Sequence, residues 1–106
     1  MRESEYQADL IKTLKLLLPD CVILKNDSGY MQGVPDLLVL WNDRWAMLEV
    51  KAAYDSPEQP NQRYWVEQFN LMSFAAFIYP ENEEEVLDAL QRSFRARRTS
   101  RVPKRL

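Results

Sequence analysis

Gly33-Val-Pro-Asp-Leu-Leu-Val-Leu-Trp-Asn-Asp-Arg-Trp-Ala-Met-Leu-Glu-Val-Lys51 is a segment in which two apolar runs, at positions 37–41 and 45–50, are separated by Asn42 and Asp43. Asn and Asp tolerate the left-handed backbone of a tight turn, so this pattern predicts a β-hairpin with a two-residue turn. The two runs are apolar on both faces, which is typical of strands that are covered on both sides.

The two-residue turn places Asp36 directly opposite Glu49, with about 5 Å between the two Cβ atoms. Because side chains alternate along a strand, Lys51 points the same way as Glu49, whereas Val50 points away. Opposed carboxylates destabilise a strand pair, and a divalent cation between them reverses that effect. The alternative is a solvated hairpin end, but buried charges are normally paired or bound to a metal. The hairpin therefore predicts a metal site.

At these residues the sequence resembles a known family. Pro35-Asp36, followed after a gap by Glu49-Val50-Lys51, resembles the PD-(D/E)xK nuclease signature. The run Gly33-Val-Pro-Asp36 resembles more narrowly the VRR-NUC branch, which includes small stand-alone bacteriophage nucleases related to Holliday-junction resolvases. The resemblance covers roughly residues 3–90. It implies that Asp36, Glu49 and the carbonyl of Val50 hold Mg²⁺ or Mn²⁺ and that Lys51 is catalytic.

The composition limits the chemistry that the chain can perform. A chain of 106 residues forms one domain, and it has no apolar run that could cross a membrane and no apolar signal segment. The single cysteine, Cys21, is compatible with a reducing cytoplasm and is expected to be a small core residue. The sequence has no histidine, so any metal should be a hard ion bound by oxygen.

The positive charge is concentrated at the end of the chain. Positions 91–106 carry seven basic residues and no acid, which leaves seven basic and sixteen acidic residues in the first 90. We therefore divide the chain into a nuclease domain, 1–95, and a basic tail, 96–106. The tail is either a nucleic-acid-binding arm or a solubilising terminus. In the first case the DNA-binding residues include Arg95, Arg97, Arg98 and Arg101.

The remaining periodicity predicts a mixed α/β fold. Apolar spacing and turn residues predict helices at 3–18, 61–72 and 81–95, and strands at 21–25 and 74–79. A strand, a helix and a strand in succession near the end imply a parallel pair in a mixed sheet. This order matches the restriction-endonuclease-like αβββαβ core that the resemblance implies, followed by a C-terminal helix.

Four flanking residues are further candidates for the site. Glu3 falls on the apolar stripe of the first helix and Gln7 lies one turn on, and the pair resembles the first-helix acid and glutamine of these nucleases. We expect Glu3 to contribute to the metal site, although an acid at a helix N-terminus also suits the helix dipole. Lys25 and Asn26 should approach the same end of the sheet as Asp36, where Lys25 contacts phosphate or is simply exposed.

Gln62 resembles the family's helix-opening glutamine, and we expect it to orient the attacking water or a phosphate. The alternative is an ordinary exposed glutamine, and Gln59 is the next candidate. Gly33 permits the close approach of a substrate or ion, or is only a turn glycine. The acidic run 81–85 is interpreted as a solvated helix start and not as a metal site.

These features together predict a metal-dependent DNA endonuclease. The resolvase likeness implies a structure-specific enzyme for Holliday junctions or other branched DNA, and the small size of the chain implies a homodimer. Two alternatives remain open: a less selective phage endonuclease or nickase, and a non-catalytic DNA-binding accessory protein that uses the basic tail.

Overall fold

The predicted hairpin forms with the predicted register. In the computed structural model, which describes residues 1–96 of the chain, its strands are β2 (Leu37–Trp41) and β3 (Arg44–Val50). Leu37 is paired with Leu48, which confirms the two-residue turn. Asn42 in that turn has a φ of 56°, the left-handed conformation that asparagine tolerates.

Three helices, two further strands and a short 3₁₀ turn complete the described part of the chain. They are α1 (Glu3–Leu17), β1 (Val22–Lys25), α2 (Gln62–Met72), β4 (Phe74–Ile78), the 3₁₀ turn Pro80–Asn82 and α3 (Glu83–Arg95). The strands form one sheet in the order β1-β2-β3-β4, in which β3 and β4 are parallel and the other pairs are antiparallel. The mixed α/β fold with a C-terminal helix is therefore confirmed. Among the described residues, no helix has both the length and the apolar character to cross a membrane.

One face of the sheet carries the main hydrophobic core. The apolar stripe of α1 packs there as its spacing predicts, and α3 packs beside it. Leu10, Leu14 and Leu90 are completely buried in this layer. The sheet contributes the side chains of Leu37, Val39, Ala46, Leu48, Val50 and Ile78. This core fixes the hairpin against the first and last helices.

The other face of the sheet is only partly covered. Helix α2 lies over β3 and β4, where Trp45 meets Phe69 edge-on with ring centroids 6.2 Å apart. On β1, by contrast, Val22 is 51% exposed and Leu24 is 47% exposed. The expectation of cover on both faces concerned the hairpin strands, and there Leu38 and Leu40 of β2 are half-buried. Val22 and Leu24 of β1 are exposed because α2 connects β3 to β4 and therefore covers the β3–β4 side of the sheet.

The start of the last helix also differs from the prediction. Residues 80–82 form a 3₁₀ turn, because the Asn82 side chain accepts a hydrogen bond from the Tyr79 N–H and donates one to the Phe77 carbonyl. Glu83 then opens α3, where it is half-buried and accepts a 2.7 Å hydrogen bond from the Tyr6 hydroxyl. The prediction that the acidic run 81–85 is exposed to solvent is therefore correct for Glu81, Glu84 and Glu85 but wrong for Glu83.

Candidate active site

Two carboxyl groups meet at one end of the sheet. Asp36 directly precedes β2, and Glu49 lies near the end of β3, so the observed register brings them together. The Val50 N–H donates a 2.8 Å hydrogen bond to Asp36 Oδ2, which fixes that carboxylate. The Glu49 side chain is only 2% exposed, and the negative charge of Asp36 acts on it. The hairpin thus holds Glu49, which is almost fully buried, opposite the half-buried Asp36.

Glu49 is poorly satisfied in this environment. Burial first, and then the neighbouring Asp36 carboxylate, raise the pKa of Glu49 to about 9, although Lys51 opposes the shift. Its Oε1 atom is buried and has no hydrogen-bond partner among the described residues. A buried acceptor without a partner is uncommon in proteins and costs about 1–3 kcal/mol. A cation between Asp36 and Glu49 would satisfy this oxygen and neutralise both acids, so the residues present fit a divalent metal.

In the described part of the chain, Asp36 and Glu49 do not belong to a larger cluster of possible metal ligands. Within residues 1–96, no group of three or more Asp, Glu or Cys side chains is close enough to enclose an ion. Mg²⁺ is usually bound by one or two carboxylates, with water and substrate phosphate oxygens completing the shell. The pair formed by Asp36 and Glu49 therefore suits a metal ion whose remaining ligands are water molecules or added oxygen groups.

Lys51 lies on the same side of β3 as Glu49, as the strand alternation predicts. Its Nζ atom is 3.9 Å from Glu49 Oε2, and it donates hydrogen bonds to the Pro57 carbonyl at 3.0 Å and to Gln62 Oε1 at 2.7 Å. The residue is only 6% exposed, and its backbone N–H is bonded to the Ile78 carbonyl of β4. The ammonium group is therefore held in one place beside the two acids.

Gln62, the first residue of α2, is hydrogen-bonded to both Glu49 and Lys51. Its Nε2 donates to Glu49 Oε2 at 3.1 Å, while its Oε1 accepts from Lys51 and also from the Gln59 N–H at 2.8 Å. The structure thus brings together Asp36, Glu49, Lys51 and Gln62. The sequence indicated Gln59 only as an alternative side chain, whereas its contribution here is a backbone N–H.

Glu3 lies at the rim of this cluster. It is at the exposed N-terminus of α1, and partial burial together with the Asp36 carboxylate raises its pKa, whereas Lys51 lowers it. The charges of Asp36 and Lys51 therefore both act on the Glu3 carboxylate. Gln7, one turn further along α1, is half-buried. The roles of Glu3 and of the Val50 carbonyl as metal ligands stay predictions.

Lys25 and Asn26 lie at the same end of the sheet, but Asn26 is hydrogen-bonded within the protein whereas Lys25 is exposed. Asn26 donates its backbone N–H to the Asp36 carbonyl and its side-chain amide to the Pro35 carbonyl, both at 2.9 Å. These bonds hold the segment that carries Asp36 against β1. Lys25 is exposed and is paired with Leu37 at the start of β2, so its ammonium group is free to meet a phosphate.

Arg95 lies far from this cluster. Its guanidinium group is 5.4 Å from the centroid of the Trp41 ring, which is at the turn end of β2. The five residues of β2 span roughly 15 Å between that end and Asp36. Arg95 is therefore separate from the candidate active site. The other predicted DNA-binding arginines, Arg97, Arg98 and Arg101, lie outside the described residues.

Two clefts flank the start of α2. A cleft of about 310 Å³ is bordered by Asp36 and Gln62 together with Ser28, Gln32, Gln59 and Pro60. A second cleft, of about 230 Å³, lies on the Lys51 side and is bordered by Ser56, Glu58, Arg63, Tyr79 and Asn82. Asp36 and Gln62 thus border one cleft and Lys51 borders the other, whereas Glu49 borders neither of these two clefts.

Comparison with models of protein families, with curated protein sequences and with solved structures finds no match to this chain.

Proposed function

We propose that this protein is a metal-dependent endonuclease that hydrolyses phosphodiester bonds in DNA. The observation that carries the proposal is the buried Oε1 of Glu49, which has no hydrogen-bond partner within residues 1–96 and lies on the same side of β3 as Lys51. Such an arrangement is destabilising unless the acids serve a cation. The likeness of these residues to the PD-(D/E)xK signature supports the same function.

Asp36 and Glu49 are the primary ligands for one or two Mg²⁺ or Mn²⁺ ions, with the Glu3 carboxylate and the Val50 carbonyl completing the set. The Val50 N–H orients Asp36, so the ligand is held in place before an ion arrives. When bound, the metal lowers the pKa of a water molecule and neutralises charge on the phosphate. Burial and Asp36 raise the pKa of Glu49, so an ion held there would favour the deprotonated carboxylate.

Lys51 orients the attacking water and stabilises the negative charge that develops on the phosphate. Its bonds to Pro57 and Gln62 leave it little freedom, so the positive charge needs no rearrangement during the reaction. Gln62 keeps Lys51 and Glu49 at a constant separation through one amide group. This is a positioning role in addition to any contact with water or phosphate.

The proposed substrate is branched or duplex DNA, with Holliday junctions favoured by the resolvase likeness. Lys25 contributes a phosphate contact at the active-site end, and the basic tail contributes affinity that does not depend on sequence. The protein is proposed to act in the cytoplasm, which is the host cytoplasm if a phage encodes the chain.

The proposed partner besides DNA is a second copy of the chain. Cleavage of two paired strands at a junction requires two active sites, and a chain of this size has one. The uncovered apolar residues of β1, Val22 and Leu24, offer an apolar surface for such a contact. Sedimentation equilibrium of the wild type and of Val22→Lys measures whether each protein is a monomer or a dimer. A monomer at micromolar concentration in both would exclude the dimer.

The function is tested by offering labelled four-way junction, flap, duplex and single-stranded DNA with Mg²⁺, Mn²⁺ or EDTA, in parallel with Glu49→Ala. Metal-dependent, symmetric cuts near the junction that are absent from the variant support a resolvase-type nuclease. Cuts on every substrate support a less selective endonuclease or nickase. Binding without cleavage under any metal would reject the nuclease in favour of a DNA-binding accessory protein.

A further inference from the structure

Gly33 packs against Pro60 and Asn61 so closely that there is no room for a side chain at its position. It is buried and has a φ of +86°, a conformation that residues other than glycine rarely adopt. A Cβ atom added to Gly33 would lie 2.7 Å from both the carbonyl carbon and the Cβ of Asn61, and 2.9 Å from the Pro60 carbonyl oxygen. Two of these three atoms belong to the backbone, so a side-chain rotation cannot relieve the overlap.

The residue on the other side of this contact is also constrained. Asn61 precedes α2 with a φ of 71° and a ψ of −5°, so two left-handed residues face each other. A 3.4 Å hydrogen bond from Asn61 Nδ2 to Gln32 Oε1 adds a second link between the same two segments. Left-handed residues other than glycine persist where the surrounding structure enforces them. The Gly33–Asn61 contact is therefore a close backbone junction between two loops.

Each of these loops leads directly into the candidate active site. Asp36 follows Gly33 by three residues, and Gln62 follows Asn61 by one. Gln62 in turn bonds both Lys51 and Glu49. The Gly33–Asn61 contact thus sets the distance between the segment that provides Asp36 and the helix that provides Gln62.

We infer that Gly33 is a positioning residue, whose missing side chain allows the start of α2 to dock against the Asp36 loop and so holds Gln62 against Lys51 and Glu49. The sequence suggested that a substrate or ion approaches this glycine, and Gly33 does border the cleft beside Asp36. In the direction of its missing side chain, however, Asn61 and Pro60 fill the space. The consequence for cleavage rests on the proposed function, whereas the consequence for the Gln62 side chain does not.

The test compares Gly33→Ala with Gly29→Ala, the other glycine of the chain. A Cβ atom at Gly29 would come within 3.0 Å only of the flexible Asp27 side chain, so this variant is a matched control. The first readout is the ¹H–¹⁵N signal of the Gln62 side-chain amide, which is assigned by its loss in Gln62→Glu. We expect Gly33→Ala to move this signal to the position of a solvated amide, and Gly29→Ala to leave it unchanged.

The second readout is the metal-dependent cleavage rate. Gly33→Ala is expected to lower kcat at least about tenfold with little change in KM, because a displacement of about 1 Å at an active site has large effects. The double variant Gly33→Ala/Asn61→Gly removes one of the three overlaps and should restore part of both readouts. If Gly33→Ala alone does not fold, the amide signal is read in the double variant.

An unmoved Gln62 signal in folded Gly33→Ala would overturn the inference, whatever the activity. A moved signal with an unchanged kcat would support the positioning of Gln62 by Gly33 and would overturn the expected effect on cleavage. If the wild type cleaves no DNA, the proposed function fails, and a moved amide signal still supports the positioning of Gln62 by Gly33.

Discussion

Replacing Glu49 by glutamine should make the metal-free protein more stable at alkaline pH. The Glu49 carboxyl is 2% exposed, and its pKa is raised to about 9 by burial and by Asp36. In the unfolded chain the same group has an ordinary pKa near 4.5. Between these two values the folded protein binds a proton that the unfolded chain has lost, so the free energy of unfolding falls as the pH rises.

The size of this effect follows from the two pKa values. Each tenfold change in proton affinity is worth about 1.4 kcal/mol. Between pH 5 and pH 8, the wild-type protein should therefore lose on the order of 4 kcal/mol of folding free energy through Glu49 alone. Glutamine has nearly the same shape and carries no titratable proton, so the variant should not show this loss.

The assay is urea denaturation followed by tryptophan fluorescence, in EDTA, at pH values from 5 to 8. The difference in unfolding free energy between Glu49→Gln and the wild type should grow with pH by roughly 1 kcal/mol per unit. Glu84→Gln, an exposed acid of α3, is the control for an ordinary surface charge. A difference that is constant with pH, or a variant that is less stable at pH 8, would refute the reasoning about the buried acid.

Further variants test other parts of the structure. Lys51→Met should lower the metal-dependent cleavage rate at least about 100-fold while circular dichroism still reports a folded protein, since the ammonium group is removed but the apolar stem remains; full activity would remove Lys51 from the proposed mechanism. Leu10→Ala should lower the free energy of unfolding by about 2–5 kcal/mol, because Leu10 is completely buried. Leu16→Ala, at a residue that is 83% exposed, should change it by less than about 0.5 kcal/mol. Equal effects of the two leucine variants would contradict the described packing of α1. Deleting residues 96–106 should weaken DNA binding and lower the salt slope by roughly 0.9 for each phosphate that the tail neutralises; an unchanged slope would assign the tail elsewhere.

The sequence predicts the hairpin well because the signal is local. Two apolar runs around Asn42 and Asp43 allow one short turn, and the side-chain period of two then decides the face of every residue. The apolar stripe of α1 is equally local, and its spacing alone places Leu10 and Leu14 in the core. The meeting of Asp36 and Glu49 follows from the same register.

Features that depend on contacts between distant segments were not predicted. The exposure of β1 depends on where α2 lies, and no pattern within β1 encodes that position. The bond between Tyr6 and Glu83 joins residues that are 77 positions apart. The separation of Arg95 from the acids follows from the direction of α3 across the sheet. In each case the residue type is visible in the sequence, but its partner is decided by tertiary packing.

Among the residues around Asp36 and Glu49, some were also predictable from the sequence and others were not. The likeness to a nuclease signature indicates Gln62, and the structure places this residue against Lys51 and Glu49. The Pro57 carbonyl that also holds Lys51 belongs to an irregular loop, and a backbone acceptor has no signature in the sequence. Gly33 carries a recognisable signal for close approach, but only the structure identifies Asn61 as the group that approaches.

The most direct test of the central claim is the binding of Mn²⁺ to the wild type and to Glu49→Gln, measured by electron paramagnetic resonance of the free ion at pH 8. If Asp36 and Glu49 form a metal site, the wild type should remove at least one Mn²⁺ per chain from solution, and the variant should bind it at least about tenfold more weakly. Equal binding by the two proteins, or no binding by either, with and without duplex DNA present, would contradict the account.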